Sequence, residues 1–453
     1  YEDHMAEGIT RISVKGFKSL AEECSIEVRP LTILAGANSS GKSSIMQPLL
    51  IMKQTLEATY DPGPLLLDGP NVRFTSVNQF MPKFNSSGGY WISPGLLNEF
   101  GVDLIHQFSL GLELENSMSF NESFIIKKSY EIDIGEISFQ NEYGNTILRP
   151  KMTHDEMSSA FLLARRPGWT RNYFKNELNN KVPKLIIERN RFFLELKLIT
   201  GDDEYITQLN RTFSNAILSL IHLPALRGNP ERNYKKTSTG PRFPGTFEIY
   251  AASIIHNWQA NRDPRLHALG AALEVLGLTW KVGARAIDDV SFEVMVGRLI
   301  HKKNDDSNDM VSIADVGFGL SQTLPVLVAL LAAEPGQLVY IEQPEIHLHP
   351  KAQMAMAQIL ADAANRGVRV VAETHSSMLL LGVQSLVAEG KLSPDKVKLH
   401  WFKRRPEDGV TEVSSADLDK AGAFGDWPED FSSAEMDADI RYIHAAEARL
   451  EPN

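Results

Sequence analysis

The feature that most constrains this chain is an eight-residue glycine-rich loop. Residues 36–43 read GANSSGKS, which fits the pattern G-x-x-x-x-G-K-S without a gap. The preceding run 31–35 is apolar enough for a buried strand, and 43–53 has apolar residues at helical spacing. Strand, glycine loop and helix in this order predict a P-loop. In such a loop, backbone N–H groups and the positive end of the helix surround phosphate groups.

The residue types in the loop suggest individual roles. We expect Lys42 to reach the β- and γ-phosphates of ATP, and Ser43 to hold Mg²⁺. The other residues expected to contact the nucleotide are Gly36, Asn38, Ser39, Ser40, Gly41 and Ser44.

A second motif, IEQPEIHLHP at 341–350, ends a predicted buried strand. Glu342 stands at the carboxyl end of that strand, where a carboxylate partner for Mg²⁺ belongs in a P-loop fold. An amide such as Gln343 cannot accept a proton, so either Glu345 is the general base or ATP hydrolysis is slow. A separate metal site formed by Glu345, His347 and His349 is the alternative for this segment.

Three further segments complete the set of candidate sites. Residues 315–322 read DVGFGLSQ and precede an apolar helix predicted at 323–333. Residues 373–376 read ETHS and follow a buried strand predicted at 368–372. Gln79 is a candidate to connect the Mg²⁺ and γ-phosphate to the middle of the chain, and a solvent-facing loop glutamine is the equal alternative.

In this order the motifs resemble those of the prokaryotic AAA-type ATPases grouped with RecF, SMC and OLD proteins, in the sub-branch that carries IEQPEIHLHP. The resemblance implies an α/β fold: an ABC/SMC-type ATPase head with a central mixed, largely parallel sheet flanked by helices. It also implies that Gly319, Ser321 and Gln322 grip the γ-phosphate bound to an opposite subunit. His375 would sense the γ-phosphate, and Gln343 would occupy the place of the usual catalytic glutamate.

Changes in sequence texture along the chain suggest domain boundaries. Residues 1–5 are interpreted as a vector remnant, and 6–84 as an N-terminal ATPase lobe. Alternation at 108–114 and within 123–139 predicts antiparallel strands in an inserted α+β domain, 85–225. The remaining parts are a C-terminal ATPase lobe, 226–405, and an acidic tail, 406–453.

Composition restricts location and partners. One cysteine excludes an intramolecular disulfide framework, and no apolar run is long enough to span a membrane, so we expect a cytoplasmic protein. A net charge of −11 argues against nucleic-acid binding over the whole surface. Within the acidic chain, however, 165–191 is basic and aromatic, so it is either a DNA contact or a solvated face of the insertion.

The sequence therefore predicts an ATPase that assembles around ATP and Mg²⁺, as a dimer or higher oligomer. The resemblance implies a sensor or regulatory subunit for a separately encoded effector, a nuclease or toxin, as in Septu-like and PARIS-like anti-phage systems. The alternatives are a RecF-like DNA-repair ATPase and a nucleotide-gated scaffold with little hydrolysis.

Overall fold

In a computed structural model of the protein, the strand that precedes the P-loop lies inside a six-stranded sheet. The structure describes residues 8–82, 104–142, 144–164, 184–200, 203–207, 209–237, 239–298, 309–425 and 440–444. The strands are β1 (Ile9–Lys15), β2 (Cys24–Glu27), β3 (Leu31–Gly36), β4 (Leu104–Leu114), β5 (Ser119–Lys127), β6 (Ile132–Asn141), β7 (Gly144–Leu148), β8 (Lys184–Asn190), β9 (Phe193–Thr200), β10 (Asp203–Ile206), β11 (Ile221–Leu223), β12 (Tyr234–Lys235), β13 (Val282–Ala286), β14 (Ser291–Gly297), β15 (Met310–Ser312), β16 (Leu338–Glu342), β17 (Arg369–Glu373), β18 (Val397–Arg404) and β19 (Thr411–Ala416).

The α-helices alternate with the strands mainly in the second half of the chain. They are α1 (Lys42–Glu57), α2 (His154–Leu163), α3 (Arg211–Ser219), α4 (Glu248–Ala260), α5 (Pro264–Val275), α6 (Phe318–Ala332), α7 (Pro350–Asn365) and α8 (Ser377–Ala388). Short 3₁₀ turns lie at Val77–Gln79, Ile313–Asp315 and Pro394–Lys396.

The sheet that contains the P-loop strand has the order β11-β16-β17-β3-β18-β19. All neighbours in it pair in parallel except β18 and β19, which are antiparallel. The sheet is therefore mixed and largely parallel, as predicted. Since β17 lies between β3 and β16, the ETHS segment reaches the P-loop edge directly, and the IEQP segment lies one strand further away.

Successive side chains of this sheet enter two different hydrophobic cores. Ile33 and Ala35 of β3 pack with α4, α6, α7 and α8 on one face. Leu34 packs on the other face with α1 and the antiparallel strands. Strands buried on both faces read as continuous apolar runs, which explains why 31–35, 338–341 and 368–372 were recognisable in the sequence.

A second six-stranded sheet has the order β2-β1-β4-β5-β6-β7, with every pair antiparallel. The antiparallel strands predicted for the middle of the chain are confirmed. They do not form a sheet of their own, however, because β4 pairs along β1 from the N-terminal lobe.

Strand pairing also crosses the other predicted boundaries. β11, assigned to the insertion, is the edge strand next to β16. β19, assigned to the acidic tail, pairs with β18 in the P-loop sheet. Smaller antiparallel sheets contain β8–β10 and β12–β15. Residues 426–439 and 445–453 of the predicted acidic tail lie outside the described residues.

Candidate nucleotide and metal site

The P-loop connects β3 to α1 through a backbone path that requires glycine at both ends. Gly36 has φ +142°, and a Cβ there would lie 2.3 Å from the Phe402 carbonyl oxygen. Gly41 has φ +105°, and a Cβ there would lie 2.6 Å from Thr411 Oγ1. Side chains rarely adopt such φ values and neither position has room for one, so the sequence pattern follows from the local geometry.

Lys42 folds back over this loop from the first residue of α1. Its Nζ donates to the carbonyl oxygens of Gly36, at 3.0 Å, and Ala37, at 2.8 Å. The side chain is buried, and this burial lowers the pKa of Lys42, although the Glu373 carboxylate opposes the shift. An ammonium held at the start of the loop is suited to contact an anion bound there.

The remaining loop residues differ in exposure. Asn38 and Ser39 are exposed, and Ser39 has a positive φ of 60°. Ser40 and Ser44 are buried. The Ser40 carbonyl oxygen accepts a 2.7 Å hydrogen bond from the Thr411 hydroxyl, whose oxygen also lies 2.7 Å from the Ser19 hydroxyl. The loop is therefore braced from β19.

Ser43 is bonded to an acidic residue that the sequence analysis did not select. Its hydroxyl lies 2.8 and 3.0 Å from the two carboxylate oxygens of Glu373, the last residue of β17. The Tyr340 hydroxyl donates to the same carboxylate at 3.0 Å. Burial raises the pKa of Glu373, and the nearby Glu342 carboxylate raises it further, whereas the bond from Ser43 lowers it.

The carboxylate of Glu342 points to other partners. Its Oε1 lies 3.2 Å from His222 Nε2, and its Oε2 accepts a 3.2 Å hydrogen bond from the Ala225 amide. Both partners belong to β11 and the segment that follows it, on the side of β16 away from the P-loop strand. Glu342 and Glu373 are aligned in the β16–β17 register, but their carboxylates are held by different groups.

Gln343 occupies an unusual backbone conformation directly after Glu342. Its φ of +47° is in the left-handed region, and its N–H donates to the Glu373 carbonyl oxygen at 2.7 Å. The Gln343 carbonyl oxygen accepts a 3.1 Å bond from the buried guanidinium of Arg227. A non-glycine residue held in this region carries a conformational cost that surrounding contacts must offset.

Glu345 connects the end of the IEQPE segment to the ETHS segment. Its Oε1 accepts hydrogen bonds from the Thr374 hydroxyl, at 2.6 Å, and the His375 amide, at 3.1 Å. Its Oε2 is buried and makes no hydrogen bond within the described part of the chain. Burial raises the pKa of Glu345, which brings the carboxyl closer to the range of a general base.

His375 reaches the P-loop from the end of β17. Desolvation of the ring and the Lys42 ammonium lower the pKa of His375, and the nearby Gly36 backbone opposes this shift. The structure therefore brings together Lys42, Ser43, Glu373 and His375 around one loop.

The DVGFGLSQ segment differs from its prediction because the helix begins earlier. α6 starts at Phe318, with Gly317 as N-cap, and not at Thr323. Ser321 is buried and donates to the Phe318 carbonyl oxygen at 2.9 Å. Gln322 is buried and bonds Arg227 and Gly228. The exposed residues of this segment are Asp315, Gly317 and Phe318, whereas Gly319 is half-buried and faces the His347 carbonyl oxygen.

Gln79 lies in the 3₁₀ turn Val77–Gln79, where its side-chain oxygen accepts a 2.8 Å bond from the Thr75 amide. This local contact fits the alternative prediction, in which Gln79 is a loop glutamine. Residues 165–183 of the basic segment lie outside the described residues. Of the described basic residues, Arg189 bonds Asp61, and Arg191 bonds the Ala58 carbonyl oxygen.

Sequence reasoning missed three contributors: Glu373, Tyr340 and Arg227. Glu373 and Tyr340 are polar residues that directly follow or interrupt apolar runs of β17 and β16, which was the available signal. Arg227 donates to the backbone of Gln322, Glu342 and Gln343, so a single buried side chain joins α6 to the end of β16.

The described residues contain no group of three or more His, Cys, Asp or Glu side chains arranged to hold a metal ion. No described helix combines the length and apolar character that crossing a membrane requires.

Comparison with protein families gives one match, over residues 31–382, to AAA_21, described as "AAA domain, putative AbiEii toxin, Type IV TA system". No curated protein matches the chain.

Similar solved structures include three heads of SMC proteins. The Smc head bound to the C-terminal winged-helix domain of ScpA is 12% identical, with 91% of this chain and 99% of that chain covered and a TM-score of 0.46. The Pyrococcus furiosus Smc head with an extended coiled coil, bound to the C-terminal domain of ScpA, is 11% identical. The match covers 91% of this chain and 97% of that chain, with a TM-score of 0.43. The Thermotoga maritima SMC head is 11% identical, with 91% of this chain and 100% of that chain covered and a TM-score of 0.37. These scores are too low to carry an argument about this chain.

Proposed function

Since the chain belongs to the AAA_21 family of AAA domains, we propose that it binds ATP with Mg²⁺ at residues 36–43 and hydrolyses it slowly. The observation that carries this proposal is the convergence of Lys42 and His375 on Gly36, with the Ser43–Glu373 pair beside them. A nucleoside triphosphate and its Mg²⁺ require an ammonium, a helix N-terminus and a serine next to a carboxylate.

The residues fit Mg²⁺ by the chemistry of their donors. Mg²⁺ prefers oxygen ligands and is usually held by one or two carboxylates together with substrate phosphates. Ser43 and Glu373 supply a hydroxyl and a carboxylate at the start of α1. Bound Mg²⁺ would neutralise phosphate charge, whereas Lys42 would hold the phosphates and His375 would contact the terminal one.

Slow hydrolysis is proposed because Gln343 replaces the glutamate that usually activates water, so that Glu345, two residues further on, must serve instead. Gln343 has no proton-accepting group, and Glu345 has one free carboxylate oxygen, while the other is bonded to Thr374 and His375. We propose Glu345 as the general base.

We propose further that ATP assembles two copies of the chain, with the Gly317–Phe318 end of α6 directed at the partner's nucleotide. Leu226 is 73% exposed and Phe318 is 41% exposed, and Phe318 lies against His347 with ring centroids 4.9 Å apart. Large apolar side chains exposed beside a helix N-terminus favour an interface there. A separately encoded effector, a nuclease or toxin of an anti-phage system, would bind this assembly and be regulated by it.

The first test is ATP affinity with Mg²⁺ in the wild type, Lys42→Ala and the exposed control Lys420→Ala. We expect Lys42→Ala to lose at least about tenfold in affinity, and Lys420→Ala to match the wild type. Equal affinity in all three proteins would refute nucleotide binding at this loop.

The assembly is tested by sedimentation with and without a non-hydrolysable ATP analogue. We expect a nucleotide-dependent increase in mass that Phe318→Ser removes. A mass that does not change with nucleotide would refute the assembly. Effector coupling is tested by ATP-dependent co-purification with the product of a neighbouring gene.

A further inference from the structure

Glu373 occupies a position that neither the family match nor the sequence motifs assign to the metal. We propose that Glu373, together with Ser43, holds the divalent cation of the nucleotide, and that Glu342 does not. This inference rests on the proposed function, because it concerns the same cation.

Strand pairing fixes where Glu373 stands. It is the last residue of β17 and the register partner of Leu34 on β3, and the next amide, of Thr374, donates to the Leu34 carbonyl oxygen at 3.0 Å. β3 leads directly into the P-loop. The Glu373 side chain therefore arises beside the start of α1, within 3.0 Å of the Ser43 hydroxyl.

The contacts of this carboxylate orient it without occupying all of its acceptor capacity. Ser43 is bonded to both oxygens, and the fully buried Tyr340 hydroxyl donates only to Oε2. A carboxylate has about four lone-pair sites on its two oxygens, so capacity for a cation remains. A neighbouring hydroxyl that fixes the orientation of a metal ligand increases the affinity of the site for the metal.

Glu342, the residue that the sequence pattern favours, has partners that hold it elsewhere. His222 lies against one of its oxygens and the Ala225 amide against the other. His222 is itself packed on Tyr340, with ring centroids 5.4 Å apart, and bonded to Asn71. Ser43, the hydroxyl that ligates Mg²⁺ in P-loop sites, is bonded to Glu373 and not to Glu342.

The test compares ATP affinity in Mg²⁺ and in EDTA for the wild type, Glu373→Gln, Glu342→Gln and the exposed control Glu407→Gln. Glutamine keeps the size of the side chain and removes its charge. We expect Glu373→Gln to bind ATP in EDTA as the wild type does, and to lose about tenfold or more of the tightening that Mg²⁺ produces. Glu342→Gln should retain most of that tightening.

Electron paramagnetic resonance of Mn²⁺ in the ATP complex supplies a second readout, independent of turnover. We expect weaker Mn²⁺ binding in Glu373→Gln and in Ser43→Ala, and near-normal binding in Tyr340→Phe, which retains both proposed ligands. Full Mg²⁺ tightening in Glu373→Gln, with its loss in Glu342→Gln, would overturn the inference and leave nucleotide binding intact. A wild type without affinity for ATP would overturn the proposed function as well.

Discussion

The Thr374 hydroxyl donates a 2.6 Å hydrogen bond to the carboxylate of Glu345, which joins the segments that follow β16 and β17. The bond uses one oxygen of Glu345 and leaves the other without a partner among the described residues. The carboxylate is thus held in place through one oxygen, and its other oxygen is buried.

The first prediction concerns Glu345 as general base. We expect Glu345→Gln to lower the rate of phosphate release by about 10²- to 10⁴-fold, with ATP affinity changed little, because an amide cannot accept the proton. Thr374→Val removes the orienting bond and keeps the carboxylate, so its rate should fall much less. Phosphate release at saturating ATP measures both. A wild-type rate in Glu345→Gln would refute the role.

The second prediction concerns the amide at position 343. We expect Gln343→Glu to increase ATP turnover by about tenfold or more, because it places a proton acceptor directly after β16. Gln343→Asn is the matched control, since asparagine tolerates the left-handed backbone observed here and also lacks a base. A turnover that is the same in both variants would show that water is activated elsewhere.

The third prediction concerns the buried guanidinium of Arg227. Burial lowers its pKa to about 10, and it donates to the carbonyl oxygens of Gln322 and Gln343. Arg227→Gln leaves buried carbonyl groups unpaired, so we expect the free energy of unfolding to fall by at least about 2 kcal/mol.

Arg232→Gln is the control for that measurement, because the Arg232 side chain is 67% exposed and pairs with Asp315 at the surface. Its loss should be below about 1 kcal/mol. Urea unfolding of both variants gives the comparison, and equal losses would contradict a structural role for Arg227.

The fourth prediction concerns Glu122 on β5, which is 1% exposed and whose two carboxylate oxygens have no hydrogen-bond partner among the described residues. Burial raises the pKa of Glu122 well above its usual value. The folded state therefore keeps the proton to higher pH than the unfolded chain does. Wild-type stability should fall as the pH rises above about 4.3, the unfolded value, until the folded carboxyl also ionises.

Glu122→Gln removes this titration, so we expect it to gain Tm relative to the wild type at pH 8 more than at pH 5. Glu142→Gln, an exposed substitution after β6, should follow the wild type at both values. Parallel pH profiles for the wild type and Glu122→Gln would show that the carboxyl does not limit stability.

The parts of the fold that were predictable are those specified by local pattern. The β3–loop–α1 unit, β16 and β17 are apolar runs with clear ends, and glycines at 36 and 41 are required by the backbone itself. The contact between Ser43 and Glu373 was not predictable, because Glu342 also ends a buried strand. It depends on β17 lying between β16 and β3, which is a property of strand order and not of either segment.

β19 lies beyond the predicted boundary at residue 405, yet it belongs to the P-loop sheet. β19 is an edge strand with exposed polar residues such as Glu412 and Ser414, and its composition resembles that of a solvated tail. Its position in the sheet comes from pairing with β18. The start of α6 was not predictable, because helical spacing alone does not show that the helix begins at Phe318.

The bond from Thr411 to the Ser40 carbonyl oxygen spans 371 positions of the chain. During synthesis the loop is therefore translated long before its neighbours β17, β18 and Thr411. A nascent chain that stops before residue 411 contains the complete P-loop sequence but lacks the hydrogen bond that holds the loop from β19. The final conformation of the loop therefore depends on chain that is translated much later.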